Sequence, residues 1–262
     1  RKDLQDQVHK KRQNAFSFYI KYDKIRMEVY MKKLLASDFD RTFYIDEKDI
    51  KNNIKYVNLF RENNNIFLIA TGRSYSSFKE VLNKFNFNYD YLILDHGSLI
   101  MDSKDNILYK YILDKNLLTK LIPYLKLDNA INYYYCTPKE KTKKLNNKEI
   151  TKIYIKYNNK EEKDKVITTI KETFKNELNI YYLSNNAIEI TSSNVNKKKA
   201  IYKVLDIVKL DKQNVYTIGD GQSDIEMIKE FNGYTMVNGI KELKEYSIKE
   251  LNSVSELLKK LI

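Results

Sequence analysis

Two aspartates separated by one residue stand at the end of a short apolar segment. The segment covers residues 34–37, and the motif DFDRT follows it directly, with Asp38 and Asp40 as its acids. Carboxylates at this spacing can approach one ligand if the chain begins to curl after a buried strand. The alternative is an ordinary loop in which the two aspartates cap the next turn.

A second acidic pair follows another apolar segment late in the chain. Residues 215–218 lead into the motif GDGQSD, which carries Asp220 and Asp224. Four carboxylates at one edge of a sheet would repel each other strongly in a partly dry cleft. A hard divalent cation removes that repulsion, and oxygen ligands with an incoming phosphate suit Mg²⁺. The alternative is a glycine turn whose acid stabilises the start of a helix.

Two weaker signals accompany the acidic motifs. Thr71 and Gly72 end the apolar segment 66–70, where a hydroxyl and backbone N–H groups could form an anion site. Alternatively, Gly72 only supplies an unusual dihedral angle at a turn. Lys197 precedes a helical segment and could neutralise phosphate charge. It stands beside two further lysines, however, and a solvated face is the ordinary interpretation of such a run.

The elements between these motifs predict how the motifs come together. Strand-like segments at 34–37, 66–70 and 91–94 alternate with amphipathic helices at about 47–63 and 78–85. This alternation predicts an α/β fold with a doubly wound, mostly parallel sheet. Right-handed crossovers place all the strand ends at one edge, where ligands bind in such sheets. The polar residues that end these strands are therefore expected to share one cleft.

The middle of the chain has a different pattern. Strand-like segments with clearer alternation and two helices fill about residues 108–188, which predicts an inserted α+β cap domain over the cleft. Residues 31–107 and 189–262 are expected to form the catalytic core. Residues 1–30 are basic and amphiphilic, with an apolar stretch too short for a secretory signal, and form an extension of unknown role.

Composition limits the classes of partner. The 262 residues are 42% hydrophobic and contain Cys136 as the one cysteine, which excludes an intramolecular disulfide and suits the cytoplasm. Cys136 is interpreted as a small buried hydrophobe. The net charge of +12 comes from lysines spread along the whole chain, which disfavours a nucleic acid partner. No segment approaches the length of a membrane span, and the oligomeric state stays open.

The motifs in this order resemble the haloacid dehalogenase-like hydrolases, and more narrowly their Cof-like phosphatases. The resemblance covers about residues 31–262 and rests on SDFDRT, IATGRSY, DHGSLI, ITSSNVNKKKAI and TIGDGQSDIEMI. It implies a Rossmann-like core, a cap between the third core strand and the motif lysine, Mg²⁺ as cofactor and a small phosphorylated metabolite as substrate. A sugar phosphate is expected by family analogy alone.

The resemblance also implies roles for the four aspartates. Asp38 corresponds to the nucleophile and a metal ligand, and Asp40 to the acid and base, with its backbone carbonyl on the metal. Asp220 corresponds to a direct Mg²⁺ ligand, and Asp224 to a ligand or an orienting group. A depressed pKa for Asp38 beside the metal and a raised pKa for Asp40 would separate their roles.

The remaining candidate residues correspond to phosphate-contacting positions of the family. Thr42 and Thr71 supply hydroxyl groups there, Gly72 lies in the same turn as Thr71, and Lys197 is the charge-neutralising lysine.

Three residues depart from the family pattern. Arg41 replaces a usual glycine, Ser223 replaces a common asparagine, and His96 replaces the asparagine usual before Gly97. These departures leave every catalytic carboxylate in place, but they could alter substrate choice or slow turnover.

Two rival interpretations stay open at this point. A phospho-acceptor signalling domain also combines an acidic cluster, a threonine and a lysine on a parallel sheet, but it places the acceptor on a middle strand and has no large insertion. A catalytically weakened phosphate- or nucleic-acid-binding protein is the other, motivated by Arg41 and the positive charge.

Overall fold

The computed structural model describes residues 32–145 and 148–262, so the expectation for the extension at 1–30 lies outside it. Within the described residues, thirteen strands form two sheets, accompanied by eight α-helices. The strands are β1 (Leu34–Ser37), β2 (Ile66–Ala70), β3 (Tyr91–Leu94), β4 (Leu99–Asp102), β5 (Ile107–Lys110), β6 (Ala130–Cys136), β7 (Lys141–Thr142), β8 (Lys152–Tyr157), β9 (Leu178–Tyr182), β10 (Ala187–Ser192), β11 (Val215–Gly219), β12 (Asn232–Met236) and β13 (Glu250–Leu251). The helices are α1 (Glu47–Glu62), α2 (Tyr75–Phe85), α3 (Lys115–Leu121), α4 (Lys160–Thr173), α5 (Lys197–Val208), α6 (Ile225–Glu230), α7 (Lys241–Tyr246) and α8 (Val254–Leu261).

The larger sheet has eight strands in the order β13-β12-β11-β1-β2-β3-β4-β5. The six strands from β13 to β3 run parallel, and β4 and β5 extend the sheet as antiparallel strands. This arrangement confirms the predicted α/β fold with a mostly parallel, doubly wound sheet. Because β1 lies between β11 and β2, the residues after these three strands meet at the centre of one edge.

Helices cover both faces of this sheet because its central strands are apolar on both sides. Leu35 points into a layer with α1, α2 and α8, whereas Leu34 and Ala36 point into a layer with α5, α6 and α7. All four residues of β1 are fully buried, as expected for a strand enclosed between two helical layers. The apolar layers fix β1 and therefore fix where Asp38 emerges.

The smaller sheet has five antiparallel strands in the order β7-β6-β8-β10-β9. Alternate residues such as Ile153 and Ile155 pack with α3 and α4. The opposite face carries Tyr134, Tyr154 and Glu189 side by side on three neighbouring strands. This second sheet with its helices matches the α+β cap predicted over the cleft.

Sheet membership suggests slightly different domain limits from the predicted 108–188. β5 hydrogen-bonds to β4 and so extends the core sheet to Lys110. β10 pairs with β8 and β9, so the cap sheet continues to Ser192. We therefore propose a cap of about residues 111–192. Cys136 is fully buried, as predicted, and every helix within the described ranges is too short or too polar to traverse a bilayer.

Candidate active site

Three carboxylates meet at the centre of the sheet edge. Asp38 directly follows β1, Asp220 follows β11, and Asp224 lies one turn further along the chain. All three are buried, and one oxygen from each lies within 4.8 Å of the others. Sequence reasoning predicted that these three residues would come together.

The turn after β11 holds Asp224 in place. Its Oδ2 accepts hydrogen bonds from the backbone N–H of Asp220 at 3.1 Å and of Gly221 at 2.9 Å. A side chain at Gly219 would place its Cβ 2.5 Å from Asp224 Cγ, so a glycine is required at that position. Gly219 therefore makes room for the Asp224 carboxylate.

Among the described residues, Lys197 supplies the buried positive charge of this cluster. It is the first residue of α5, and its side chain is only 1% exposed. Its Nζ donates to Asp38 Oδ1 and to Asp224 Oδ1, both at 2.6 Å. The predicted lysine is therefore a buried group of the site, and the run of three lysines does not form a solvated face at this residue.

The buried ammonium group of Lys197 and the largely exposed guanidinium of Arg41, 3.4 Å from Asp220, do not balance three buried carboxylates. Burial raises the pKa of Asp38 from its usual 3.8 to about 8, with Lys197 opposing the rise and Asp224 adding to it. Burial and the neighbouring Asp224 also raise the pKa of Asp220. The expectation of a depressed Asp38 pKa concerns the metal-bound site and stays a prediction, whereas in the metal-free protein desolvation outweighs the attraction of Lys197. A cluster of buried, oxygen-only donors with this excess of negative charge fits a hard divalent cation.

Asp40 occupies a different position from the other three aspartates. Its two carboxylate oxygens accept hydrogen bonds from Arg73, from Nε at 2.8 Å and from Nη2 at 2.7 Å. The guanidinium group also lies 5.3 Å over the ring of Phe39, and its paired contact with Asp40 raises the pKa of Arg73. Sequence reasoning did not select Arg73, although it immediately follows the Thr71-Gly72 turn at the same sheet edge.

The two threonines have different surroundings. Thr42 is fully buried, and its hydroxyl donates to Asp220 Oδ1 at 3.0 Å. This bond differs from the predicted phosphate contact, because the loop after β1 curls Thr42 towards the end of β11. Thr71 instead lines the cavity described next, and its Oγ1 accepts from the backbone N–H of Arg73 at 3.2 Å.

A cavity of about 300 Å³ lies between the core and the cap, with Asp38 and Asp40 in its wall. The core supplies the acidic residues, the Thr71–Gly72–Arg73 turn and His96. The cap supplies Tyr134, Lys152, Leu183 and Glu189. The convergence of strand ends therefore produces an open cleft with a second wall from the inserted domain.

Lys152 and Glu189 are two cavity residues that sequence reasoning did not select. Both are buried, and the Lys152 ammonium donates to Glu189 Oε1. The other oxygen, Glu189 Oε2, lies 2.7 Å from His96 Nε2. Their sequence signal was weak because polar and apolar residues alternate along both strands. A lysine or glutamate at a polar position of such a strand is ordinarily exposed to solvent.

Comparison with known proteins identifies the family. The family model of haloacid dehalogenase-like hydrolases matches residues 35–140 and 133–256.

The chain belongs to the haloacid dehalogenase-like hydrolases.

Similar proteins cover most of this haloacid dehalogenase-like chain. An uncharacterized protein of Mycoplasma capricolum is 30% identical over 239 residues, covering 77% of this chain and 88% of that protein. The 5-amino-6-(5-phospho-D-ribitylamino)uracil phosphatase of Bacillus subtilis is 28% identical, covering 82% of this chain and 88% of its own. A solved HAD/COF-like hydrolase of Plasmodium vivax has a TM-score of 0.74 at 24% identity, covering 88% of this chain and 95% of its own. The family resemblance and the prediction of a phosphohydrolase are confirmed.

Proposed function

We propose that this chain is a Mg²⁺-dependent phosphatase that hydrolyses a small phosphomonoester through an aspartyl-phosphate on Asp38. The observation that supports it most is the position of Asp38, which lies in the cavity wall and accepts a 2.6 Å hydrogen bond from buried Lys197. Family membership supports the phosphatase function independently of this geometry.

The first step transfers the phosphoryl group to the protein. A carboxylate oxygen of Asp38 attacks phosphorus, a new O–P bond forms, and the bond to the leaving oxygen breaks. Asp40 gives its proton to the leaving alkoxide. Lys197 and the Thr71 hydroxyl compensate the charge of the phosphoryl oxygens. Arg73 holds the ionised Asp40 carboxylate through paired hydrogen bonds, so Asp40 must give up one of these bonds to carry the proton for this transfer.

The second step releases phosphate and restores Asp38. Asp40, now ionised, takes a proton from a water molecule that attacks the phosphorus. The bond between phosphorus and the Asp38 oxygen breaks, so the carboxylate returns to its starting form. The same group thus serves first as acid and then as base, and the cap excludes other water molecules from the site.

Asp38, Asp220 and Asp224 would hold the metal ion, and family resemblance adds the backbone carbonyl of Asp40. Bound Mg²⁺ supplies positive charge that favours the ionised form of Asp38 and stabilises the phosphoryl oxygens. Thr42 keeps Asp220 oriented through its 3.0 Å hydrogen bond. We infer that Thr42 acts on the metal ligand and not on phosphate.

The proposed substrate is a sugar phosphate or a similar small phosphomonoester. A cavity of about 300 Å³ is at the lower end of the range for small-molecule sites and limits the size of the leaving group. Tyr134 lines the cap wall, and its ring is stacked on Tyr154 at 4.5 Å. Such a wall suits a leaving group that carries hydroxyl groups. The Bacillus subtilis relative, named for a phosphorylated ribitylamino compound, supports the same class.

A phosphomonoester screen tests the proposed function. We expect phosphate release from sugar and polyol phosphates, loss of activity after treatment with a chelator, and recovery when Mg²⁺ is added back. Phosphodiesters of the same alcohols serve as matched controls and should not react. Tight RNA binding that weakens steeply with salt, without Mg²⁺-dependent hydrolysis, would favour the binding-protein interpretation instead.

A change at Arg41 should strengthen Mg²⁺ binding. The Arg41 guanidinium lies 3.4 Å from Asp220 Oδ2, and the residue has a left-handed φ of 65°. Glycine adopts this φ without strain, so Arg41→Gly should fold normally and remove a competing cation. Because the side chain is 67% exposed, we expect an increase in Mg²⁺ affinity of about threefold by calorimetric titration. Arg41→Lys keeps the charge and is the control, and equal affinities for the two variants would contradict the prediction.

A further inference from the structure

Lys152 is a cap residue whose charged group is buried against the core. It begins β8, and its side chain is 1% exposed. The ammonium donates to the backbone carbonyl of Gly72 and to Glu189 Oε1, and it lies 3.4 Å from Asp95 Oδ1. A charged group is buried at such a position only when its partners compensate for the lost water. Two of the three partners, Gly72 and Asp95, belong to the core.

The Gly72 carbonyl is one half of a peptide group that faces the cavity. The N–H of the same peptide group belongs to Arg73 and donates to Thr71 Oγ1 at 3.2 Å. Because the peptide group is planar, fixing its carbonyl also fixes the direction of its N–H. Lys152 thus acts on the Thr71 hydroxyl through one rigid unit.

This arrangement determines what the Thr71 hydroxyl can do. A threonine hydroxyl has one donor proton and two acceptor lone pairs. Because Oγ1 already accepts from Arg73, its proton is available to donate into the cavity that Thr71 lines. The N–H of Gly72 has no protein acceptor in the described part of the chain, and Gly72 also lines the cavity. The turn therefore presents two donors to an anion.

The partners of Lys152 make it a rigid anchor. Although burial opposes ionisation, Lys152 and His96 lower the pKa of Glu189 to about 2, so Glu189 is charged and neutralises Lys152. Burial lowers the pKa of His96, whose neutral ring donates from Nε2 to Glu189 and stacks on Tyr181 at 3.7 Å. A Cβ at Gly72 would lie 2.4 Å from His96 Cε1, so the imidazole packs directly on the turn.

We propose that Lys152 is a positioning residue of the cap, which holds the Gly72–Arg73 peptide group so that the turn binds the phosphoryl group. This inference rests on the proposed function, since it assigns the turn to phosphate. It gives the cap a role in phosphate binding that does not depend on the leaving group. It also gives His96 a role, because its ring supports Glu189 and the turn together.

The test compares phosphate affinity in Lys152→Met with that in a matched control. Inorganic phosphate is the probe, measured by calorimetry and as a competitive inhibitor in the presence of Mg²⁺. We expect Lys152→Met to bind phosphate about tenfold more weakly, as for the loss of one hydrogen bond to a charged group. Lys163→Met removes another buried cap lysine, which lies beside Asp164 and over the ring of Tyr182, and phosphate affinity should stay at the wild-type value.

Several outcomes separate a positioning role from a purely structural one. In Lys152→Met, KM should increase by the same factor for phosphomonoesters with different leaving groups, because Lys152 positions the turn that binds the phosphate group. A lower melting temperature with unchanged phosphate affinity would overturn the proposal. A change confined to one leaving group would overturn it as well, since Lys152 would then contact substrate directly.

A second variant keeps the proposal testable if Lys152→Met does not fold. Lys152→Met combined with Glu189→Gln removes both charges of the buried pair, and the double variant should still bind phosphate about tenfold more weakly. Glu189→Gln alone should weaken binding less, because Lys152 keeps its contact with Gly72. If the wild type binds phosphate but hydrolyses no ester, the proposed function fails while the role of Lys152 can still be measured.

Discussion

Replacing Asp38 by asparagine should abolish turnover while the protein stays folded. The amide is a poor nucleophile, and it cannot form the aspartyl-phosphate on which both steps depend. We expect kcat to fall by about 10⁴-fold or more, as for other nucleophiles that act within a catalytic group. No acid-stable phosphoprotein should form, whereas the wild type should be labelled transiently by a phosphorylated substrate. Because asparagine can deamidate to aspartate, Asp38→Ala should be measured alongside it.

The same variant should be more stable than the wild type when no metal is bound. The pKa of Asp38 rises from 3.8 to about 8 on folding, chiefly through burial, so between these values the folded protein holds a proton that the unfolded chain has released. The contribution of Asp38 to the free energy of unfolding must therefore decrease as pH rises from about 4 to 8. Asp38→Asn removes this contribution, and its advantage in melting temperature should grow from pH 5 to pH 8.

Mg²⁺ provides the control for this stability prediction. Binding to the folded state stabilises the wild type, so Mg²⁺ should raise its melting temperature and reduce the difference from Asp38→Asn.

Two results would contradict these predictions. If Asp38→Asn retained more than about a thousandth of wild-type activity, Asp38 would not be the nucleophile. A variant that is less stable at pH 8 without metal would contradict the electrostatic account of the cluster.

Replacing Asp40 by asparagine should trap the reaction half-way. We expect kcat to fall by about 10²–10⁴-fold, because the variant lacks both the general acid and the general base. With p-nitrophenyl phosphate, however, the leaving group needs little protonation, so the first step should still occur. The expected result is a burst of one p-nitrophenolate per protein, followed by very slow turnover and a phosphoprotein that accumulates.

The surroundings of Asp40 make this variant interpretable. An asparagine oxygen can still accept one of the two hydrogen bonds from Arg73, so the side chain should keep its position. Asp46→Asn is the matched control in the same loop. Asp46 caps α1 by accepting from the N–H groups of Lys48 and Asp49 at 2.8 Å, and asparagine caps helices equally well. A burst absent from Asp40→Asn, with full turnover of unactivated sugar phosphates, would assign the acid and base to another residue.

Sequence alone predicted the acidic cluster because the order of strands determines which residues share an edge. Asp38 and Asp220 each follow an apolar strand, and right-handed crossovers bring the ends of parallel strands together. Lys197 was predicted from its position in a family motif, since its neighbours alone suggested a solvated face. Alternating strands and amphipathic helices likewise predicted the doubly wound core, and the clearer alternation within the strands of residues 108–188 predicted the cap.

The tertiary structure decided contacts that the pattern of strands does not encode. Whether Arg73 reaches Asp40, whether Thr42 turns to Asp220, and whether Lys152 reaches Gly72 depend on side-chain directions and on how the cap sits over the core. The raised pKa of Asp38 in the metal-free protein has the same origin, because its desolvation depends on how distant segments pack around the carboxylate. Periodicity along the chain determines which face is buried, whereas the partner of each buried polar group is determined only when distant segments pack together.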